Sequence, residues 1–255
     1  MDVADWPGAV AGLRSTGPVT TIVMPSSSFT FGDSCLWQGY SKDGTGYWIK
    51  GANNPQGPKV PINEFVVSRV GQLIGAAVCR VELVEPAPEL LGTQLPFGQT
   101  IASGIASGSQ DIGGAEERRV LDRRTDDTNR KRHVGMYAIY DWCWGVDAQY
   151  LYRVGGDWEV HSHDHGNFFS GPSWTEGDLL ARVNMPHELG TARSGLDSAA
   201  KEEVADAIEA VTTMDIEAIL RQVPASWGAT DRELEALGWF LDSRTAAVAT
   251  RIRHL

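Results

Sequence analysis

The chain has 255 residues, 42% of them hydrophobic, with 22 Lys and Arg against 33 Asp and Glu, for a formal net charge of -11. That length can bury a substantial core without disulfides, and its scattered cysteines (Cys35, Cys79, Cys143) have neither redox-pair nor structural-zinc spacing. The acidic balance, without a basic stripe, opposes direct binding to nucleic acid or an anionic membrane; no run approaches the roughly 20 apolar residues of a membrane span, and the acidic N-terminus lacks a leader's basic and apolar regions, so a cytoplasmic location is expected.

Residues 1–17 read as a short lead-in helix closed by a Gly-Pro turn. Val19 to Met24 reads as a strand stopped by Pro25 and by Ser26, Ser27 and Ser28. Cys35 to Tyr40 and Tyr47 to Lys50 flank a polar, glycine-bearing connection and are expected to form a hairpin. Pro61 fits a first helical turn, and Ile62, Phe65, Val66, Val70, Leu73 and Ile74 recur at helical spacing until Gly75, which predicts an amphipathic helix with Glu64 in its first turn. Val78 to Val84 alternates as a strand does, and Glu85 to Leu95 is a proline-containing connector.

Residues 98–114 are rich in Gly and Ser, a composition expected to form a hinge or mobile loop, and the boundary between two halves is assigned there. A charged segment from Glu116 to Arg132 leads into a buried helix at Met136 to Trp144. Tyr150 to Val154 and Trp158 to His163 read as strands joined at Gly155-Gly156. Three helices are expected at the end, Ala199 to Thr213, Ile216 to Val223 and Asp231 to Arg253, the last with Thr230 and Glu233 as a capping box. The expected fold class is α+β, with a strand-rich half preceding an increasingly helical one.

Lys50 closes an apolar strand, sharing a face with Trp48 and opposing Tyr47 and Ile49. A strand-end lysine ahead of a helix bearing an early carboxylate is how kinases hold nucleotide phosphates, with Glu64 the candidate partner. The plain alternative is a snorkelling lysine and a helix-start glutamate.

The run His161-Ser162-His163-Asp164-His165-Gly166 admits two chemistries. Asp164 at a strand end offers the hard oxygen that Mg²⁺ prefers, while His161, His163 and His165, on the opposite face of a regular strand, offer the imidazoles of a zinc hydrolase. A polar turn with solvated histidines is the third option. Upstream, Asp141 and Asp147 lie among tryptophans, where a carboxylate needs a partner. Asp147 with Gln149 suggests an acid/base residue and a metal-facing amide, and Asp141 an internal structural acceptor.

Taken in order, the segments YWIKGANNPQGPKVPINEFVVSRVGQLIGAAVCRVELVE, LPFGQTIASG, YDWCWGVDAQYLY and HSHDHGNFF, with VPASWGATDRELEALGWFLDSR near the C-terminus, resemble the short, stand-alone HipA-like kinases. The likeness runs from about Pro25 onward. It implies one two-lobed kinase-like domain over 1–255, with an N-lobe at 1–97, a hinge at 98–114 and a C-lobe at 115–255. It further implies ATP and Mg²⁺ as cofactors, Lys50 on the phosphates and Asp164 on the metal. Ser26, Ser27 and Ser28 become the phosphate-covering loop, and adenine is expected against Phe97, Gly98, Gln99 and Thr100. That family's loop reads Asn-x-Asp-Arg-His-x-x-Asn, whereas here it is shortened to Gly145-Val146-Asp147-Ala148-Gln149, leaving Asp147 as base and Gln149 as the amide. The expected activity is ATP- and Mg²⁺-dependent phosphoryl transfer to an unspecified acceptor, a protein Ser/Thr among the candidates. The alternatives are a nucleotide-binding pseudokinase, motivated by the shortened loop, and the zinc hydrolase.

Overall fold

In a computed structural model the described residues are 6, 8–26, 36–95, 100–126, 128–155 and 157–255. Five strands, β1 (Val19–Pro25), β2 (Trp37–Ser41), β3 (Gly46–Lys50), β4 (Val81–Pro86) and β5 (Ala106–Gln110), pair in the ring order β1-β2-β3-β5-β4, closed by a parallel β1–β4 pairing. The β2–β3 hairpin turns through Gly44 at φ 86°, with the Asp43 carboxylate accepting from Ser41 Oγ and from the Thr45 amide. Its register sets Trp37 opposite Ile49 and Gly39 opposite Tyr47. Period-two alternation sends Tyr47 and Ile49 into a core with Ile22, Trp37, Val84 and Ala106, leaving Trp48 and Lys50 on the other face, as expected.

Within the expected hinge or mobile loop at 98–114, Ala106–Gln110 is instead a strand, β5, lying between β3 and β4. Small residues serve close packing there. A Cβ on Gly108 would lie 2.5 Å from Val84 Cγ1 and 3.2 Å from Tyr47 Cδ1.

Helix α1 (Val60–Leu73) packs against β4 and β5. It is buried nearly all round rather than on one stripe, because α2 (Asn129–Trp142) and α5 (Thr213–Arg221) also pack on it. Its first residue is Val60, so Glu64 falls in the second turn, not the first. The expected strand at 78–84 divides. Val81 onward joins the ring, whereas Val78 bridges Ser162 in a second sheet of order β6-β7-β8, built from β6 (Ala115–Arg118), β7 (Tyr150–Arg153) and β8 (Val160–Ser162). Thus the charged segment 116–132 contains part of a strand, which its polarity concealed.

Helices α3 (Glu176–Arg182), α4 (Ser198–Ala210) and α6 (Asp231–Arg253) complete the fold, α3 having no counterpart in the sequence expectation. The capping box at Thr230 and Glu233 is present, and Thr175 with Asp178 and Thr212 with Asp215 form two more. Where a lead-in helix was expected, the described residues make turns, with Gly8 and Gly12 at φ 81° and 68°. The Trp6 ring is buried against α6 at Gly238. Asp141 is the internal acceptor, pairing with buried Arg244 at 2.9 Å and with Arg251 at 2.6 Å. Among the described residues, no helix is long and apolar enough to cross a membrane.

Candidate active site

The β3 strand delivers Lys50 to the wall of a cavity of 620 Å³, which Glu64, Asp147, Gln149 and Asp164 also line. Lys50 Nζ lies 2.5 Å from Glu64 Oε1 and 2.5 Å from Asp164 Oδ1. These residues are 14 and 114 positions away along the chain. Only 5% of Lys50 is exposed, and an unpaired ammonium at that depth would be costly. Burial disfavours its charge, yet the two carboxylates outweigh burial and hold its pKa above the ordinary lysine value. Burial would likewise raise the Asp164 carboxyl, but Lys50 beside it keeps it below the usual value.

Glu64 is fixed from a second side, because its Oε2 accepts the His165 amide at 3.1 Å. The adjacent Asn63 donates through Nδ2 to the carbonyls of Gly166, Phe168 and Gly171 at 2.7, 3.0 and 3.2 Å, and its Oδ1 accepts from Trp174 Nε1 at 2.8 Å. Together the pair clamps the segment after Asp164 onto α1. Gly166 permits the approach, since a Cβ there would lie 3.0 Å from Val60 Cγ1.

Strand alternation stops at Ser162, and Asp164 adopts a left-handed backbone at φ 54°. The face assignment of the histidines therefore does not carry through the run. His161 Nε2 pairs with Glu159 at 3.1 Å, and His165 Nε2 meets Ser162 Oγ at 2.9 Å. His163 lines the cavity, its Nε2 buried without a hydrogen-bond partner among the described residues. Burial pushes the pKa of His163 down to about 4 and that of His165 to about 3, so both imidazoles are neutral near pH 7. Among the described residues, no group of three or more His, Cys, Asp or Glu is placed to hold a metal, and the zinc alternative is without support.

The shortened loop enters the cavity from the second sheet. Asp147 sits at φ 59°; its Oδ1 is ion-paired with Arg119, and its Oδ2 accepts from Gln149 Nε2 at 3.1 Å. Gln149 is only 4% exposed and precedes β7, so its amide is held in place.

Not every expected residue reaches the cavity. Ser26 donates its amide to the Gln38 carbonyl at 2.8 Å and is not part of the lining. Thr100 is exposed, forms an isolated bridge with Gln94 and does not line it either. Ser27, Ser28, Phe97, Gly98 and Gln99 lie outside the described residues. Among the described residues the backbone leaving β5 contributes Gln110, Asp111 and Ile112, with Ser107 and Ser109 on the same wall. Asp111 accepts from Gln38 Nε2 at 3.1 Å and Trp48 Nε1 at 3.0 Å. Arg119 and Asn167, neither among the expected site residues, also line the cavity. Asn167 follows the Asp164-His165-Gly166 run directly and was open to inspection, whereas Arg119 carries no local signal within its run of mixed charge.

No family model matches the chain, and no curated protein matches it. Among solved structures it is similar to the Helicobacter pylori proinflammatory kinase CtkA, at 12% identity over 93% of this chain and 98% of that one, with a TM-score of 0.60. The Golgi casein kinase with Mn/ADP bound aligns at 9% identity over 99% of this chain and 76% of that one, with a TM-score of 0.47. The likeness to CtkA establishes a mixed α+β fold of kinase type.

Proposed function

We propose that this chain is an ATP- and Mg²⁺-dependent phosphotransferase of the HipA-like type, one domain whose two lobes meet beyond β5. The observation that carries this is Lys50 Nζ held 2.5 Å from both Glu64 and Asp164, in a cavity that Asp147 and Gln149 also line. In this assignment Lys50, oriented by Glu64, binds the phosphates, and the purine lies against Gln110 to Ile112.

Charge supports a metal. Among the described residues five carboxylates line the cavity (Glu64, Asp111, Glu117, Asp147, Asp164) against two permanent cations, Lys50 and Arg119, so a polyphosphate enters most favourably with its charge neutralised. The donor set fits Mg²⁺, which typically takes one or two carboxylates together with substrate phosphates; Asp164 and the Gln149 amide oxygen would hold it. When bound, the ion neutralises charge on the phosphates. The acceptor hydroxyl gives its proton to Asp147 as its oxygen bonds to the γ-phosphorus. The bond from that phosphorus to the β,γ-bridging oxygen breaks, and ADP leaves with the electron pair.

A pseudokinase is the second reading, favoured by donors on both oxygens of Asp147. Calorimetry and thermal shift with ATP and MgCl₂, paired with γ-³²P release, separate the two. Wild type should bind ATP in a Mg²⁺-dependent manner and turn it over. Asp164→Asn should fold and lose Mg²⁺-dependent binding, and Asp147→Asn should bind but transfer about 10² to 10⁴ times more slowly. Binding without turnover in the wild type would leave the pseudokinase, and absence of binding would end both.

A further inference from the structure

We propose that Arg119 is the terminal-phosphate cation of this cavity, exchanging its partner Asp147 for the γ-phosphate of bound ATP; this rests on the phosphotransferase assignment above. Among the described residues that line the cavity, Lys50 and Arg119 are the Lys and Arg side chains, and their situations differ. The Lys50 side chain is 6% exposed and spends two of its three N–H donors on Glu64 and Asp164. It is committed in place. The Arg119 side chain is 59% exposed, pairs through Nη1 with Asp147, and reaches Glu117 at only 3.7 Å, outside hydrogen-bond range. Its remaining guanidinium donors, without a hydrogen-bond partner among the described residues, can meet a phosphate as a fork.

Sheet register explains how it gets there. Arg118 pairs with Tyr150 across β6 and β7, so the next residue, Arg119, comes alongside Gln149 and the loop that carries Asp147. Arg118 itself is tied to Glu116 and Asp122 and lies over the Tyr152 and Trp158 rings. The two neighbouring arginines are therefore divided between packing and the cavity.

The chemistry calls for such a group. The transferring phosphoryl develops charge over its outer oxygens, which a positioned guanidinium stabilises, and the segment Gly145 to Gln149 contains no cation of its own. An ion pair as exposed as Arg119–Asp147 exchanges partners at little cost, whereas that of Lys50 does not. Release of Asp147 by the arriving γ-phosphate would also free one of its oxygens for the acceptor hydroxyl.

The test is the ATP-to-ADP affinity ratio with MgCl₂, measured by calorimetry on the full chain. Arg119→Ala should weaken ATP about 10-fold and leave ADP unchanged, and Arg119→Lys should fall between Ala and wild type. Asp147→Asn, which releases Arg119, should tighten ATP, and that gain should vanish in the Arg119→Ala, Asp147→Asn double variant. A wild-type ATP-to-ADP ratio in Arg119→Ala would overturn the assignment and leave the phosphotransferase proposal standing. Failure of wild type to bind either nucleotide would remove both.

Discussion

His133 is fully buried near the start of α2, where its Nδ1 accepts from Arg124 Nε at 3.1 Å. Burial, helped by the charge of Arg124, lowers its pKa from 6.5 to about 3. Between those values the unfolded chain binds a proton that the folded chain refuses, so stability is lost as pH falls from 6.5 toward 3. His163 and His165, lowered to about 4 and about 3, act in the same direction. Asp164 adds a loss at lower pH, because a depressed carboxyl stabilises above its unfolded pKa and ceases to as pH drops through its folded one. Urea denaturation from pH 7 to 4 should show a falling midpoint, and His133→Gln should flatten the slope by at most about 1.4 kcal/mol per pH unit. At this scale the pairing of Lys50 with Glu64 was legible, because a strand parity and a helical periodicity are local signals, although Glu64 lies one turn further into α1 than expected. The direct contact of Lys50 with Asp164 was not, since the left-handed backbone at Asp164 ends the alternation from which its direction was read.

Within the elements, β5 gives the sharpest lesson. Gly and Ser usually signal loops, but here they satisfy a steric demand, and Ser107 Oγ additionally donates to the Lys50 carbonyl at 3.3 Å. Gly108 lies outside the left-handed region, so the cost of substitution is steric, set by Val84 at 2.5 Å. Gly108→Val should destabilise by roughly 1 to 3 kcal/mol in chemical denaturation, and Gly104→Ala, with nothing within 4 Å but a φ of 105°, should cost less. The final helix was legible end to end because its capping box has the Thr-x-x-Glu form. The boxes at Thr175 and Thr212 use Asp at the third position and begin short helices, which weakens both signals.

For the whole molecule, Asn63 is the connection that matters most to the cavity. From α1 it holds three carbonyls of the segment that follows Asp164, and so couples the five-stranded ring to the second sheet. Asn63→Ala would strand those acceptors and Trp174 Nε1 in a buried interior. We expect a loss of about 3 kcal/mol in denaturation, with weakened Mg²⁺-dependent nucleotide binding in the variant that remains folded. Strand parity at Lys50, the helical periodicities and the acidic charge can be read from the amino-acid order alone, because each is a property of composition or of neighbours along the backbone. Folding is what brings Lys50 to Asp164, Arg119 to Asp147 and residues 110–112 to the cavity wall. Those pairings depend on sheet register and on charges buried together from distant parts of the chain, which no local pattern records.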